Sequence, residues 1–479
     1  INSLHYGQCK NPLKDTLWDN SLPFEGIPGP SKLSLIAAYM PGGKYYKKTM
    51  IEVFTMARKE YGDILIFPGI FGKRDIVVTY DPADFEKVFR SEGQWPIRRG
   101  LDSIEYYRKV ERADFYEKAS KGNNGADLDQ RNYLILRIRK IRSSTTNEVP
   151  SNFDEEIQYW AMETIGLVAL DTRLGLLNGL NRTEETDIFL RAITDFFALL
   201  YELDVKPSMW KLISTPKFRK IIKAQDTLVE ICTKYVEEAM KRINSGKSKN
   251  DGEKSILEKL LQIDKHVAIV MAMDMIIAGV DTTTSSIVGC LFLLAKNPEK
   301  QNLLREELKT ILPQRDSPLT KENMKNLPYL RACIKETLRV CPVTSGNFRT
   351  SAQDLILSGY RVPKGVDISM VSMVLQRDDA HFPKALEFIP ERWLRNRTED
   401  ANNQCPSAKT ANPFIYLPFG FGPRMCIGKR FVELELEVAL ARIVRNFRVE
   451  YDHPDFVFCT NVINYASGDY RFRFVELSE

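Results

Sequence analysis

The eleven residues Pro418-Phe419-Gly420-Phe421-Gly422-Pro423-Arg424-Met425-Cys426-Ile427-Gly428 constrain this chain more than any other stretch. Gly420 and Gly422 permit positive φ, so the backbone can bulge tightly just before the cysteine. Gly428 lets the backbone come close to something flat. Cys426 stands at the start of a helix running to about Asn446, in which Phe431, Leu434, Val438 and Ala441 predict an amphipathic face. A free thiol has a pKa near ~8.5 and is mostly protonated at neutral pH; the positive end of a helix and a bound metal both favour thiolate. A lone cysteine is most often a buried structural thiol. The fixed spacing of Phe, two Gly, Arg, Cys and Gly favours a ligand instead.

A thiolate is a soft ligand suited to haem iron, and its electron donation promotes O–O cleavage. Phe419 would shield the sulfur from water, and Arg424 would pair with a haem propionate. Other metal chemistry finds little support. The chain has four His and no HExxH, CxxC or CxxCH, so a His-built zinc hydrolase and covalent c-type haem attachment are disfavoured. The eight Cys are scattered, as expected for buried free thiols in a reducing compartment. A net charge of +5 without a basic block interleaved with aromatics gives no sign of nucleic-acid binding. No uninterrupted apolar run reaches the ~20 residues of a membrane span, and no amino-terminal leader is visible. The best candidate, around Val267 to Val280, contains Asp274.

Hydrophobic residues make up 43% of the 479 residues, enough for a large core. Chains this long usually split into domains, but no Pro- or Gly-rich linker divides this one, so residues 1–479 read as a single body around a large ligand. Met50, Phe54, Ala57 and Tyr61 predict a helix. Ile64–Phe67 and Ile76–Tyr80 predict strands, and Asp81-Pro82 predicts a helix start. Helical patterns dominate from Phe153 to Leu312, with a polar break from Asn244 to Lys254. Pro298 and Pro328 open two further helices. Short strands are expected from Arg349 to Val374 and again in the tail, with a polar loop from Asn396 to Asn412. The sum is a mainly α protein with small β-sheets.

The run FGFGPRMCIG resembles the haem-binding signature of the cytochrome P450 proteins, the haem-thiolate monooxygenases. The resemblance implies that family's fold, with haem b between a long central helix and the helix after the cysteine loop, and Cys426 as the iron ligand. Other segments agree in order along nearly the whole chain. Asp281 to Ser286 are six consecutive polar residues inside an apolar helix, where Thr and Ser compete for backbone carbonyls. They resemble the family's acid–alcohol pair, which implies that Thr282 supports bound dioxygen and Asp281 relays protons. Glu336 and Arg339, three apart on one helix, resemble its buried structural pair, with Arg392 of Pro390-Glu391-Arg392-Trp393 as third member. Arg349 matches a position that contacts a haem propionate.

Within the family the chain resembles the mitochondrial class, in its insect xenobiotic-metabolising branch. Arg331 and Lys335 at i, i+4, together with Lys429 and Arg430, look like the docking surface for an acidic ferredoxin, itself reduced by its reductase. This implies a mitochondrial protein on the matrix side of the inner membrane, open to peripheral membrane contact, that uses dioxygen on an apolar xenobiotic or steroid-like molecule. Met271, Met275 and Ala278 on one helical face, with Val343 and Thr344, are candidate substrate contacts.

One departure stands out. The family's helix carrying Trp-x-x-x-Arg belongs between Ala113 and Asn147, an interval that has no Trp. The chain is short there by ~30 residues, far more than an ordinary loop difference. Trp95 and Arg99 have the spacing, but Pro96 and their early position speak against them. The rival reading is therefore an inactive or splice-variant relic that binds haem poorly. A haem isomerase or dehydratase without electron input is disfavoured because Thr282 is retained.

Overall fold

The computed structural model describes residues 18–94, 96–97, 101–112, 115, 133–176, 183–206, 208–245, 255–320, 322–394 and 407–477. Trp95, Arg99, nearly all of 113–132 and residues 395–406, where most of the polar loop was expected, lie outside them. Along the chain the main elements include α1 (Lys32–Tyr39), α2 (Met50–Tyr61), β1 (Ile64–Phe67), β2 (Ile76–Thr79), α3 (Pro82–Arg90), α4 (Tyr133–Ile141), α5 (Phe153–Ala169), α6 (Glu184–Leu200) and α7 (Pro216–Asn244). There follow α8 (Lys265–Lys296), α9 (Pro298–Ile311), α10 (Pro328–Val340), β3 (Asn347–Thr350), β4 (Leu355–Leu357), β5 (Tyr360–Val362), β6 (Asp367–Met370), α11 (Lys429–Asn446), β7 (Phe447–Glu450), β8 (Val457–Asn461), β9 (Ile463–Ser467) and β10 (Arg473–Glu476). The expected boundaries hold within a few residues. One difference is that the strand region expected up to Val374 ends in a helical turn, Ser372–Leu375.

The chain forms two compact units. The first comprises Ile1–Gly100, Gly346–Leu375 and Asn412–Met425. Its four-stranded sheet has the order β1-β2-β6-β3, with β2 and β6 parallel and the other pairs antiparallel. Local chemistry sets its helix starts. Thr49 and Glu52 form a capping box on α2, and Asp81 accepts the Ala83 N–H ahead of Pro82 on α3. Buried Asp84 accepts from Thr79 Oγ1 and from both the amide and hydroxyl of Ser358, tying α3 to the β4–β5 hairpin.

The second unit comprises Leu101–Ser345, Gln376–Ala411 and Cys426–Glu479, and is built around α8. This helix packs on α5, α7, α9, α10 and α11. Asp264 caps it, accepting from the amides of His266 and Val267. By length and hydropathy α8 is apolar enough to cross a membrane, yet 78% of its most apolar window is buried inside the protein, as in a core helix. The expected amphipathic stripe on α11 is only partly what the structure shows: Ala441 is buried. Phe431, Leu434 and Val438 are only half-buried, whereas Glu435, Leu436 and Glu437 are buried. Neighbours on several sides, α4, α8, α9 and α10, leave this helix no purely solvent-facing side.

Glu336 is fully buried and organises the segment after α10. Its Oε1 accepts from Arg339 Nη2 at 2.7 Å, Arg392 Nε at 2.9 Å and the Ile389 amide at 3.0 Å. Its Oε2 accepts from Arg339 Nε at 2.9 Å and Trp393 Nε1 at 2.8 Å. Arg339 also donates to the carbonyls of Gln376, Ala385 and Glu387, so one guanidinium gathers a long irregular stretch of backbone. This is not the weak exposed helix pair that i, i+3 spacing usually means.

A second buried carboxyl, Glu435, joins three helices. Thr164 of α5 and Thr283 of α8 both donate to it. Burial raises its pKa to about 8, against the two hydroxyl hydrogen bonds that lower it. The fold therefore favours the neutral acid, so stability falls as pH rises from the ordinary value of 4.5 through about 8. Two outcomes follow. Glu336→Ala, which strands two buried guanidinium groups, costs roughly 3–5 kcal/mol in denaturant unfolding. Glu435→Gln raises the melting temperature by several degrees at alkaline pH, and the gain vanishes below the ordinary carboxyl pKa; a gain independent of pH would contradict the neutral-acid assignment.

Candidate active site

Of the described cysteines, Cys232, Cys290, Cys333 and Cys341 are buried and Cys459 is intermediate, while Cys426 is exposed. Burial pushes the buried thiols up, Cys290 and Cys341 to about 12, so they are inert hydrophobic fillers. Cys426 differs in kind. Partial desolvation of its sulfur raises its pKa, and the N–H groups of Gly428 and Lys429 draw it down. The α11 helix begins at Lys429, three residues later than expected, with Gly428 as its N-cap. Cys426 thus precedes the helix, where the first amides converge on the sulfur. Gly420 and Gly422 adopt φ of 74° and 71°, as their positions predict. Gly428 has φ −81°, and a Cβ there would meet only the Cys426 sulfur, at 3.9 Å. Phe421, Met425 and Ile427 are 40%, 48% and 61% exposed, an unusual share of apolar surface on one short loop. Phe419 is half-buried.

In the first unit Arg349 is 2% exposed and stands 5.2 Å from the Phe89 ring centroid. Its Nε is bonded to Glu92, Nη1 donates to Phe348 O at 2.9 Å and Nη2 to Phe421 O at 3.1 Å. Arg424 is exposed, and its Nε donates to the Pro96 carbonyl at 2.9 Å. Glu92 was not singled out in the sequence; nothing local distinguishes it from a surface acid after a helix.

In the second unit the polar run of α8 is mostly interior. Thr283, Thr284 and Ser286 are buried, which excludes a surface stripe. Thr282 Oγ1 donates to Ala278 O at 2.6 Å, Thr284 to Val280 O at 2.9 Å and Ser286 to Thr282 O at 2.8 Å. These back-bonds are the competition with the helix expected of such residues. Gln158 Nε2 of α5 donates to Asp281 Oδ1 at 3.1 Å. Burial raises Asp281 to about 6; the Gln158 bond opposes that and the Asp154 carboxylate reinforces it. A carboxyl that titrates near neutrality can both accept and give a proton. Met271 and Met275 are half-buried and Ala278 is exposed, on a helix otherwise largely enclosed. They form one open face with Thr282. Val343 is half-buried and Thr344 exposed.

The basic residues divide. Arg331 is bonded to Glu437 through Nε (2.6 Å) and Nη2 (3.3 Å), and donates to the carbonyls of Lys325 and Met324, so its charge is largely spent within the chain. Lys335 is exposed with its Nζ 6.0 Å from the Trp393 ring centroid; Arg430 is exposed and Lys429 half-buried. In the interval expected to lack a Trp-x-x-x-Arg helix, the described helix is α4. Its Arg137 forks onto Glu156, and Arg139 bonds Asn446 and Glu476, so these arginines serve the fold.

These features fit a haem. An exposed thiol with amides aimed at its sulfur suits a metal-bound thiolate. The bare apolar loop residues suit the face of a large flat group. The buried Arg349 suits a carboxylate, and the Oε2 of Glu92 is buried without a hydrogen-bond partner beside it.

The cytochrome P450 family model matches residues 132–462. The chain is 44% identical to Cytochrome P450 CYP12A2 of Musca domestica, covering 98% of this chain and 95% of that protein. It is 43% identical to Probable cytochrome P450 12a5, mitochondrial, of Drosophila melanogaster, covering 97% and 93%. The first alignment spans 510 positions but takes in 98% of 479 residues, about 469, so about 41 positions of the relative face no residue here. The crystal structure of the cytochrome P450DA haem domain shares the fold, with a TM-score of 0.70 at 18% identity over 94% of this chain and 98% of that one. The thiol loop, the Glu336 network and these matches converge: the chain belongs to the cytochrome P450 family of haem-dependent monooxygenases.

Proposed function

We propose that this protein is a mitochondrial monooxygenase that takes electrons from a ferredoxin and hydroxylates an apolar small molecule, with Cys426 as the ligand to the haem iron. The observation that carries this reading is the exposed Cys426 thiol with the Gly428 and Lys429 amides directed at it. Haem b, when bound, supplies the redox centre at which dioxygen takes two electrons and two protons, one oxygen atom entering the substrate and the other leaving as water. The amides and Phe419 set how much charge the sulfur gives up. Arg349 and Arg424 hold the propionates. Asp281 holds a proton at its carboxyl, positioned by Gln158, and passes it by way of the Thr282 hydroxyl. Met271, Met275 and Ala278 offer an apolar wall to a xenobiotic or steroid-like substrate, with Val343 and Thr344 as further contacts. Residues 1–479 act as one haem domain.

The mitochondrial names of several relatives support a matrix-side location and a ferredoxin with its reductase as electron source. In this reading Lys335, Lys429 and Arg430 form the docking charges, while Arg331 chiefly holds Glu437. A second reading, a relic that binds haem poorly, is favoured by the missing positions relative to the fly proteins.

The reduced carbon monoxide difference spectrum separates the two. The purified chain is expected to show stoichiometric haem and a thiolate-type Soret band, and Cys426→Ser to lose that band; no band in the parent chain would select the relic. Lys335→Glu or Arg430→Glu is expected to raise the ferredoxin concentration for half-maximal reduction roughly five- to tenfold at low salt, leaving the Soret band in place. An unchanged ferredoxin dependence would place docking elsewhere.

A further inference from the structure

Glu92 lies just beyond α3 with its side chain 7% exposed, and it is the one acid paired with Arg349 among the described residues. Arg349 has five donor hydrogens. Its bonds to Glu92, Phe348 O and Phe421 O use three, leaving one on each terminal nitrogen. Two such hydrogens are what a second carboxylate takes from a guanidinium. The other oxygen of Glu92, Oε2, is buried without a partner, and a Cβ built on Gly422 would lie 3.2 Å from it. Arg349 on β3 and Arg424 on the cysteine loop are the charged groups described against Glu92. Two cations and one anion are thus gathered where one carboxylate oxygen has no donor.

A propionate arriving at Arg349 would meet a carboxylate already bonded to the same guanidinium. With both propionates held by Arg349 and Arg424, three carboxylates would face two cations, and the excess negative charge favours a proton kept on one of them. We propose that Glu92 is a built-in competitor for Arg349, so that this chain takes up haem and a proton together. The proposal rests on the reading of Arg349 as a propionate-holding residue. Burial already lifts the Glu92 carboxyl above its ordinary range, with Arg349 and Arg424 pulling it down, so the proton is within reach. If haem raises this pKa further, haem affinity falls as pH rises through the interval between the free and bound values, and levels off outside it. Ionisation of Cys426 on ligation contributes the opposite slope, but equally in any Glu92 variant.

The test is a haem titration of the haem-free full chain, followed at the Soret band from about pH 5 to about pH 8, for the parent and Glu92→Gln, two chains that differ by one titratable group. The amide keeps an acceptor for Arg349 and removes the charge. The variant is expected to bind haem more tightly, with a ratio near one at the acid end that grows to roughly tenfold at the alkaline end. A ratio independent of pH, or weaker binding throughout, would overturn the proposal and leave Glu92 as a mere prop for Arg349. Should Glu92→Gln not fold, protons exchanged per haem are counted for the parent chain alone. Release of clearly less than the one proton expected from the thiol supports the proposal, and release of a full proton overturns it. Absence of a thiolate-type Soret band in both chains removes the functional reading and this proposal with it; a normal band with equal pH dependence removes this proposal only.

Discussion

A single carboxylate, Glu336, carries the heaviest structural duty in the second unit. It is fully enclosed, accepts five hydrogen bonds and is the acid shared by two guanidinium groups that have no other acid among their described partners. Desolvating three charges is tolerable because Glu336 accepts at both oxygens and each guanidinium also donates to backbone carbonyls. Apolar packing alone would not specify where the irregular segment from Gln376 to Trp393 runs. Arg339 and Arg392 do so by collecting its carbonyls, which converts a stretch without regular secondary structure into a fixed element.

Around the central helix the same rule operates with neutral groups. Asp281 is met by an amide and Glu435 by two hydroxyls, rather than by cations. An ionic partner would hold each acid ionised. Burial displaces both carboxyls upward, and the amide and hydroxyl bonds only partly offset it, so the proton is free to reside there. The chemistry assigned to Asp281 depends on that choice of neighbour as much as on the acid itself.

Much of this was legible in the sequence because it was local. The glycine positions around Cys426, the capping signal at Asp81, the proline starts at Pro298 and Pro328, and the polar run after Val280 each declare themselves within a few residues. The Glu336, Arg339 and Arg392 grouping was legible only through family resemblance, since Arg392 lies fifty-six residues from Glu336. Gln158, Glu435 and Glu92 escaped notice because their meaning comes from partners more than a hundred residues distant. The stripe expected on α11 held only in part for a related reason: periodicity identifies one buried face, and this helix is covered on several.

The polar notch in α8 has a consequence for the chain before it is folded. As it leaves a ribosome or crosses a translocation pore, this segment is long and greasy enough to be mistaken for a bilayer-spanning stretch. An acid such as Asp281 at mid-helix adds roughly 2.5–3.5 kcal/mol against lipid insertion, and the adjoining hydroxyls lower the mean hydropathy further. The same polar run thereby weighs against lipid insertion of the nascent helix and in favour of its burial within its own protein.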